Sequence, residues 1–209
     1  MELEGGDVVT AHCPNSGSMK GCAIPGSRVL LSTSDNPGRK YPFGWELVEA
    51  AGCWAGINTG RPNGLTREAI ENGTAAELQG YRTIRPEVPY GENSRIDLLL
   101  EGATGRCFVE VKNVTLVEAG RALFPDAVTT RGQKHLQELM RVVREGDRGV
   151  IFFTVLRGDG SAVSPADAID PEYGRLLRLA VTCGVEALAY RALVTPGEIR
   201  LTERLPIIL

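Results

Sequence analysis

Residues 149–156, GVIFFTVL, form one unbroken apolar run fenced by Asp147-Arg148 on one side and Arg157-Gly158 on the other. Its length, far below the roughly 20 residues of a membrane helix, and its β-branched and aromatic content mark a strand covered on both faces. A strand of that kind sits at the centre of a sheet, and it demands a layer above and a layer below. The pattern from residue 65 onward supplies those layers in the order α-β-β-β-α-β-α-β. A helix runs from Leu65 to a stop at Gly80, and a strand covers 82–90. Two strands lie within 94–116, a loop spans 117–127, and a helix is capped by Thr129 or Thr130. The last helix, 171–183, precedes strands at 185–194 and 198–201. The expected fold class is α/β (α+β), a mixed sheet flanked by helices.

The first third of the chain reads differently. VVTAHC, SRVLLST, FGWELVEA and CWAGI are short strand candidates separated by Gly, Pro, Ser and Asn clusters, the pattern of a small β-barrel. The turn-rich stretch 58–64 divides the chain into a β unit at 1–60 and an α/β unit at 61–209. Two loops of the β unit are chemically dense. His12 to Met19 offers hydroxyls, amides and a His-Cys pair, yet its sequence supplies no partner to orient a nucleophile. In the second, Arg39 and Lys40 stand beside Tyr41, which suits a phosphate contact with base stacking; the plainer alternative is a hydrated turn.

Composition excludes more than it selects. A formal charge of −3 argues against coating nucleic acid by bulk electrostatics, though Arg121, Arg131, Lys134, Arg141, Arg144 and Arg148 concentrate positive charge in one segment. No apolar run is long enough to cross a membrane, and the start lacks a basic region followed by an apolar segment, so a cytoplasmic protein is expected. Five scattered cysteines without a C-x-x-C pair point to neither a disulfide framework nor a structural zinc site.

The chemistry concentrates in SRIDLLLEGATGRCFVEVKNVTL, residues 94–116. Strand alternation puts Arg95, Asp97 and Leu99 on one face, with Ile96, Leu98 and Leu100 on the other. On the second strand Phe108, Glu110 and Lys112 share a side opposite Val109 and Val111, and the turn sets Glu110 and Lys112 beside Asp97. Two acids and a lysine on one face match metal-assisted phosphodiester chemistry: Asp97 and Glu110 as ligands of Mg²⁺, Lys112 directing water or phosphate. The spacing resembles the PD-(D/E)XK nuclease-like signature; a solvated, salt-bridged sheet face is the alternative. Glu68, at the edge of its helix stripe, and Gln133, in the first turn of the helix after Thr129, are placed to lean over the same sheet. Arg131 and Lys134 stand at that helix start, where free amides favour an anion.

The segments AHCPNSGSMKGC, SDNPGRKYPFGWELVE, SRIDLLLEG, CFVEVKNVTL and ALFPDAVTTRGQKHLQEL resemble the sugar fermentation stimulation protein A family along essentially the whole chain. The resemblance implies an N-terminal OB-like β-barrel followed by a PD-(D/E)XK nuclease-like domain. It further implies DNA as the partner and a link to regulation of sugar (maltose) utilisation, with no established reaction; a Mg²⁺-dependent nuclease acting on a particular DNA or RNA structure is the rival reading. Under it Asp97, Glu110 and Lys112 form the site, with Glu68 and Gln133 in support. The oligomeric state stays open, a homodimer included. Asn113 stands where that family leads one to expect serine, and Ser16 where threonine is usual. Members of that family carry a further strand ahead of the position of Met1, so the barrel is expected to lack its first strand and Met1 to be a misassigned or truncated start.

Overall fold

The computed structural model describes residues 1–91, 94–103 and 105–209. Strands β1 (Ala11–His12), β2 (Val29–Thr33), β3 (Phe43–Ala50) and β4 (Cys53–Gly56) form a four-stranded sheet with β3 as its spine. β2 runs antiparallel to β3, whereas β1 pairs in parallel with its first residues and β4 antiparallel with its last. Ala51 and Gly52 turn β3 into β4 with φ of 50° and 78°, the two left-handed residues a tight hairpin requires. Met19, Cys22, Val48, Ala50, Ala55 and Ile57 make the core of this layer.

The rest of the chain builds the layered sheet that GVIFFTVL demands. α1 (Pro62–Glu71) and a 3₁₀ turn (Ala76–Leu78) lead into β5 (Thr83–Tyr90), β6 (Ser94–Gly102) and β7 (Gly105–Val114). A small hairpin follows, β8 (Leu116–Glu118) and β9 (Arg121–Phe124), then α2 (Thr130–Arg144), β10 (Arg148–Val155) and β11 (Ala162–Pro165). α3 (Pro171–Thr182), β12 (Glu186–Val194) and β13 (Ile199–Arg204) complete it. The large sheet has the order β13-β12-β10-β7-β6-β5, with β12, β10 and β7 mutually parallel and the flanking pairs antiparallel. β10 is therefore central, as its composition requires. β11, β9 and β8 form a separate three-stranded sheet.

Helices cover both faces. On one side Leu136, Leu139, Tyr173 and Leu176 from α2 and α3 meet Ile96, Leu99, Phe108, Ile151 and Phe153. On the other, Leu65, Ala69 and Ile70 of α1 meet Leu98, Leu100, Val109 and Phe152. Among the described residues no helix is long and apolar enough to cross a membrane. The two sheets join through the Gly56 N–H, which donates to the Leu156 carbonyl at 2.8 Å, and through the buried Arg157.

Three local expectations change. α1 stops at Glu71 rather than running to Gly80, because Asn72 and the left-handed Gly73 (φ 84°) break it. The segment 117–127 is partly paired, since the β8–β9 turn uses left-handed Ala119 and Gly120. The alternation in β6 slips at Asp97: Ile96 and Leu99 face α2 and α3, while Leu98 and Leu100 face α1. Pairing between β6 and β7 runs only from Gly102 to Leu98, and opposite Asp97 on β5 Glu87 has φ 53°.

Candidate metal and phosphate centre

β7 carries the centre because it is held between two strands and pushes alternate side chains into the α2 side of the sheet. Glu110 is 2% exposed there, too deep for a carboxylate unless it is bonded. Its Oε1 accepts from Lys112 Nζ at 2.7 Å and contacts His135 Nδ1. Among the described residues its Oε2 is buried with no hydrogen-bond partner. Burial raises the Glu110 carboxyl, but the His135 bond and the Lys112 charge outweigh it and hold the group below its ordinary value.

Asp97 reaches the same place by replacing part of the ladder. Where β6 stops pairing, its Oδ2 takes the Val111 N–H at 2.7 Å and its Oδ1 takes Asn63 Nδ2 at 3.0 Å. Each oxygen keeps a lone pair for a further partner. Burial and then the charge of Glu110 push the Asp97 carboxyl up, against the pull of the Val111 amide, Lys112 and Asn63. The Glu110 charge thus opposes ionisation of Asp97, and Lys112 supplies balancing charge to both. The hydroxyls of Tyr90 and Tyr173 are likewise buried and unpartnered, and burial followed by the Glu110 charge raises both phenols.

His135 joins the centre without having been anticipated. Arg131 Nε donates to its Nε2 at 3.4 Å, while its Nδ1 lies against Glu110 Oε1 and 3.2 Å from Lys112 Nζ. Thr129 caps α2 as the sequence predicts, its hydroxyl accepting from the Gly132 N–H at 3.0 Å, and this fixes the first turn that carries Arg131. Gln133 turns away from the carboxylates: its Nε2 donates to both oxygens of Asp170 at 2.9 and 3.1 Å. Asp170 caps α3 through the Tyr173 N–H and also accepts from the Thr129 N–H, so it locks the starts of the two helices together. Burial raises this carboxyl, and the bonds from Thr129, Tyr173 and Gln133 more than reverse it, leaving it below its ordinary value.

Glu68 does not reach the centre. It is exposed on α1, whose buried residues belong to the opposite core. The start of α1, rather than its middle, overlies Asp97, and Asn63 lies about 140° around the helix from Glu68 at 100° per residue. Lys134 is exposed on α2, and Arg39 and Lys40 are exposed between β2 and β3, with Lys40 Nζ 5.1 Å from the Tyr41 ring centre. Neither Arg39 nor Lys40 makes a hydrogen bond or ion pair with Asp97, Glu110 or Lys112. Among the described residues no group of three or more His, Cys, Asp or Glu side chains is arranged to hold a metal; the structure brings the acids Asp97 and Glu110 together beside Lys112.

Both parts of the chain match known families. Residues 60–198 match the family model described as "Sugar fermentation stimulation protein RE domain", and residues 1–57 match the "SfsA N-terminal OB domain". The chain belongs to the SfsA family. Its SfsA relatives include the sugar fermentation stimulation protein homolog of Pelobacter propionicus, 79% identical over 207 residues, 99% of this chain and 90% of that one. The homolog of Geobacter sulfurreducens is 77% identical over 208 residues, 100% of this chain and 89% of that one. Among solved structures, SfsA of Pyrococcus furiosus in complex with Ca²⁺ superimposes with a TM-score of 0.87 at 32% identity, over 95% of this chain and 85% of that chain. The fold is thus the SfsA α/β fold with an N-terminal OB domain.

Proposed function

We propose that this SfsA protein binds DNA across a nuclease-like centre that holds a divalent cation, Mg²⁺ in the cell, between Asp97 and Glu110. The observation that carries the reading is the Glu110 Oε2 atom, buried without a partner beside a second carboxylate and a lysine. Leaving such an atom unpaired costs on the order of 1–3 kcal/mol, a cost that a bound cation offsets. The relative described in complex with Ca²⁺ supports a divalent ion in this family. A bound cation supplies charge for the phosphate oxygens and a more acidic water. The chain's own groups do the rest: Lys112 Nζ, 2.7 Å from Glu110, points a fixed positive charge at the phosphate, and His135 and Arg131 hold Glu110 in place.

In this reading residues 1–60 act as the OB-like unit and 61–209 as the unit that carries the centre. Arg39, Lys40, Arg131 and Lys134 contact the DNA backbone, and the protein acts in the cytoplasm on sugar-utilisation genes. Binding of a labelled duplex, followed by anisotropy across a salt series, tests this: affinity falls steeply with salt as counterions are released, and a salt-independent isotherm contradicts it. A second reading, a Mg²⁺-dependent nuclease for a particular DNA or RNA structure, is favoured by the position of Lys112 between Glu110 and His135, where it is placed to orient an attacking water. Cleavage of single-stranded, duplex or branched substrates with Mg²⁺ or Mn²⁺, lost in Lys112→Ala while binding persists, supports it. No cleavage of any substrate rejects it.

A further inference from the structure

A cavity of about 200 Å³ lies where stretches distant in sequence converge. Its polar wall comes from Asn15 and Ser16 in the loop after β1, Thr59 before α1, Asn113 and Thr115 at the end of β7, and Asp126 after β9. Leu123 and Phe124 supply its apolar wall. The loop is fastened to this wall: Asp126 Oδ2 accepts from Ser18 Oγ at 3.2 Å and from the Met19 N–H at 3.1 Å. Gly17 permits that approach, since a Cβ there would stand 2.8 Å from the Asp126 carboxylate. Asn113 Oδ1 is buried and has no hydrogen-bond partner among the described residues. Asn113 directly follows Lys112 on β7, so the cavity lies at the end of the strand that carries the phosphate centre.

The lining selects its ligand. Neither lysine, arginine nor histidine contributes to it, which disfavours a phosphate, and one carboxylate is too few for a dedicated cation site. Its volume is several times the roughly 30 Å³ share of a water molecule and below the roughly 300–1,000 Å³ of sites for larger ligands, which suits a single planar ring system. Asn113 Oδ1 and the Asp126 carboxylate ask for N–H donors, while the Asn15, Ser16 and Thr115 side chains offer donors in return. A planar rim of mixed donors and acceptors, with adjacent N–H groups for Asn113 Oδ1 and Asp126 Oδ1, the oxygen that Ser18 and Met19 leave open, describes guanine.

We propose that this cavity receives a guanine base taken out of its stack from the nucleic acid whose backbone lies at Lys112, with Asp126 and Asn113 reading its Watson–Crick edge and Phe124 and Leu123 covering the ring. The proposal rests on the DNA-binding reading above and adds a base-recognition site to it. Fluorescence anisotropy with labelled oligothymidylates carrying one central guanine, hypoxanthine or adenine, in Ca²⁺ buffer, is the test. The guanine strand binds about tenfold tighter than the other two, the discrimination a paired set of base-edge hydrogen bonds provides. Asn113→Leu, which fills the cavity, removes that preference while the all-thymidine strand still binds within about twofold. Asn113→Ala removes the unpartnered oxygen without adding bulk and lowers the preference if Asn113→Leu fails to fold. Equal affinity of the wild type for all three strands, or a preference that survives both substitutions, overturns the guanine site while leaving DNA binding intact. Failure of every strand to bind while a labelled duplex still binds overturns the site alone; failure of the strands and the duplex overturns the DNA reading and the site together.

Discussion

Glu110 and Arg157 are both charged and both nearly sealed, at 2% and 3% exposure, yet the fold treats them differently. Arg157 has every arm in use: Nε and Nη2 donate to Asp159 at 2.9 and 2.6 Å, and Nη1 to the Thr115 carbonyl at 3.2 Å and to Cys22 Sγ at 3.8 Å. Its neighbours come from both sheets, so it is a joint between them. Glu110 doubles the load on one oxygen and leaves the other with no bond. Desolvating a charge costs several kcal/mol unless its bonds are restored, so a fully bonded buried charge belongs to the structure, while a half-bonded one is kept for a ligand.

The largest effect that separates them is on stability. Arg157→Ala strands the Thr115 carbonyl and Asp159 and lowers the free energy of urea unfolding by about 3–5 kcal/mol; a loss below about 1 kcal/mol would erase the contrast. Asp170 belongs with Arg157, being 1% exposed and bonded to Thr129, Tyr173 and Gln133. Asp170→Ala costs about 2 kcal/mol in the same measurement. Asp170→Asn keeps one acceptor oxygen for the cap but turns an NH2 toward the second N–H donor, so it loses a bond together with the charge. Because the folded carboxyl lies below its unfolded value, its ionised form stabilises the fold. That contribution is whole above about pH 4 and is lost as the pH falls through the lowered folded value. The gap of about 1 kcal/mol between wild type and Asp170→Asn at neutral pH therefore closes in acid, and a gap that widens would reverse the assignment. Glu110→Gln keeps an acceptor at the Oε1 position but removes the charge that Lys112 pairs with; because the folded carboxyl lies below its ordinary value, thermal unfolding at neutral pH gives a lower stability than wild type, and the difference closes in acid.

Sequence alone foretold the two layers over β10, a threonine cap at Thr129 or Thr130, of which the structure uses Thr129, and the shared face of Glu110 and Lys112, because each depends on a local period or a capping residue. Asp97 was placed beside Glu110 on the strength of regular alternation, and it arrives there by breaking it; the slip is set by the end of β6–β7 pairing, which no residue count along one strand records. His135 was overlooked because the stripe traced back from Leu136 was taken through Gly132 and Gln133. The signal was available: His135 lies three residues after Gly132 and four before Leu139, inside the buried face. Asp170 stood directly before Pro171, the signature of a helix cap, and its second role in holding Gln133 and the Thr129 N–H depends on how α2 and α3 meet. Glu68 is a different case: α1 buries the Leu65 and Ala69 stripe that its apolar residues imply, but against the opposite core and with Glu68 turned to solvent.

The central claim is that the free oxygen of Glu110 is there for a cation. Isothermal titration of Ca²⁺ into the wild-type protein and into Glu110→Gln, both shown folded by thermal unfolding, addresses it without any nucleic acid present. The account predicts one ion bound per chain and an affinity at least about tenfold weaker in Glu110→Gln, the cost of losing a charged ligand. Equal Ca²⁺ affinity in the two proteins, or none in the wild type, would contradict it.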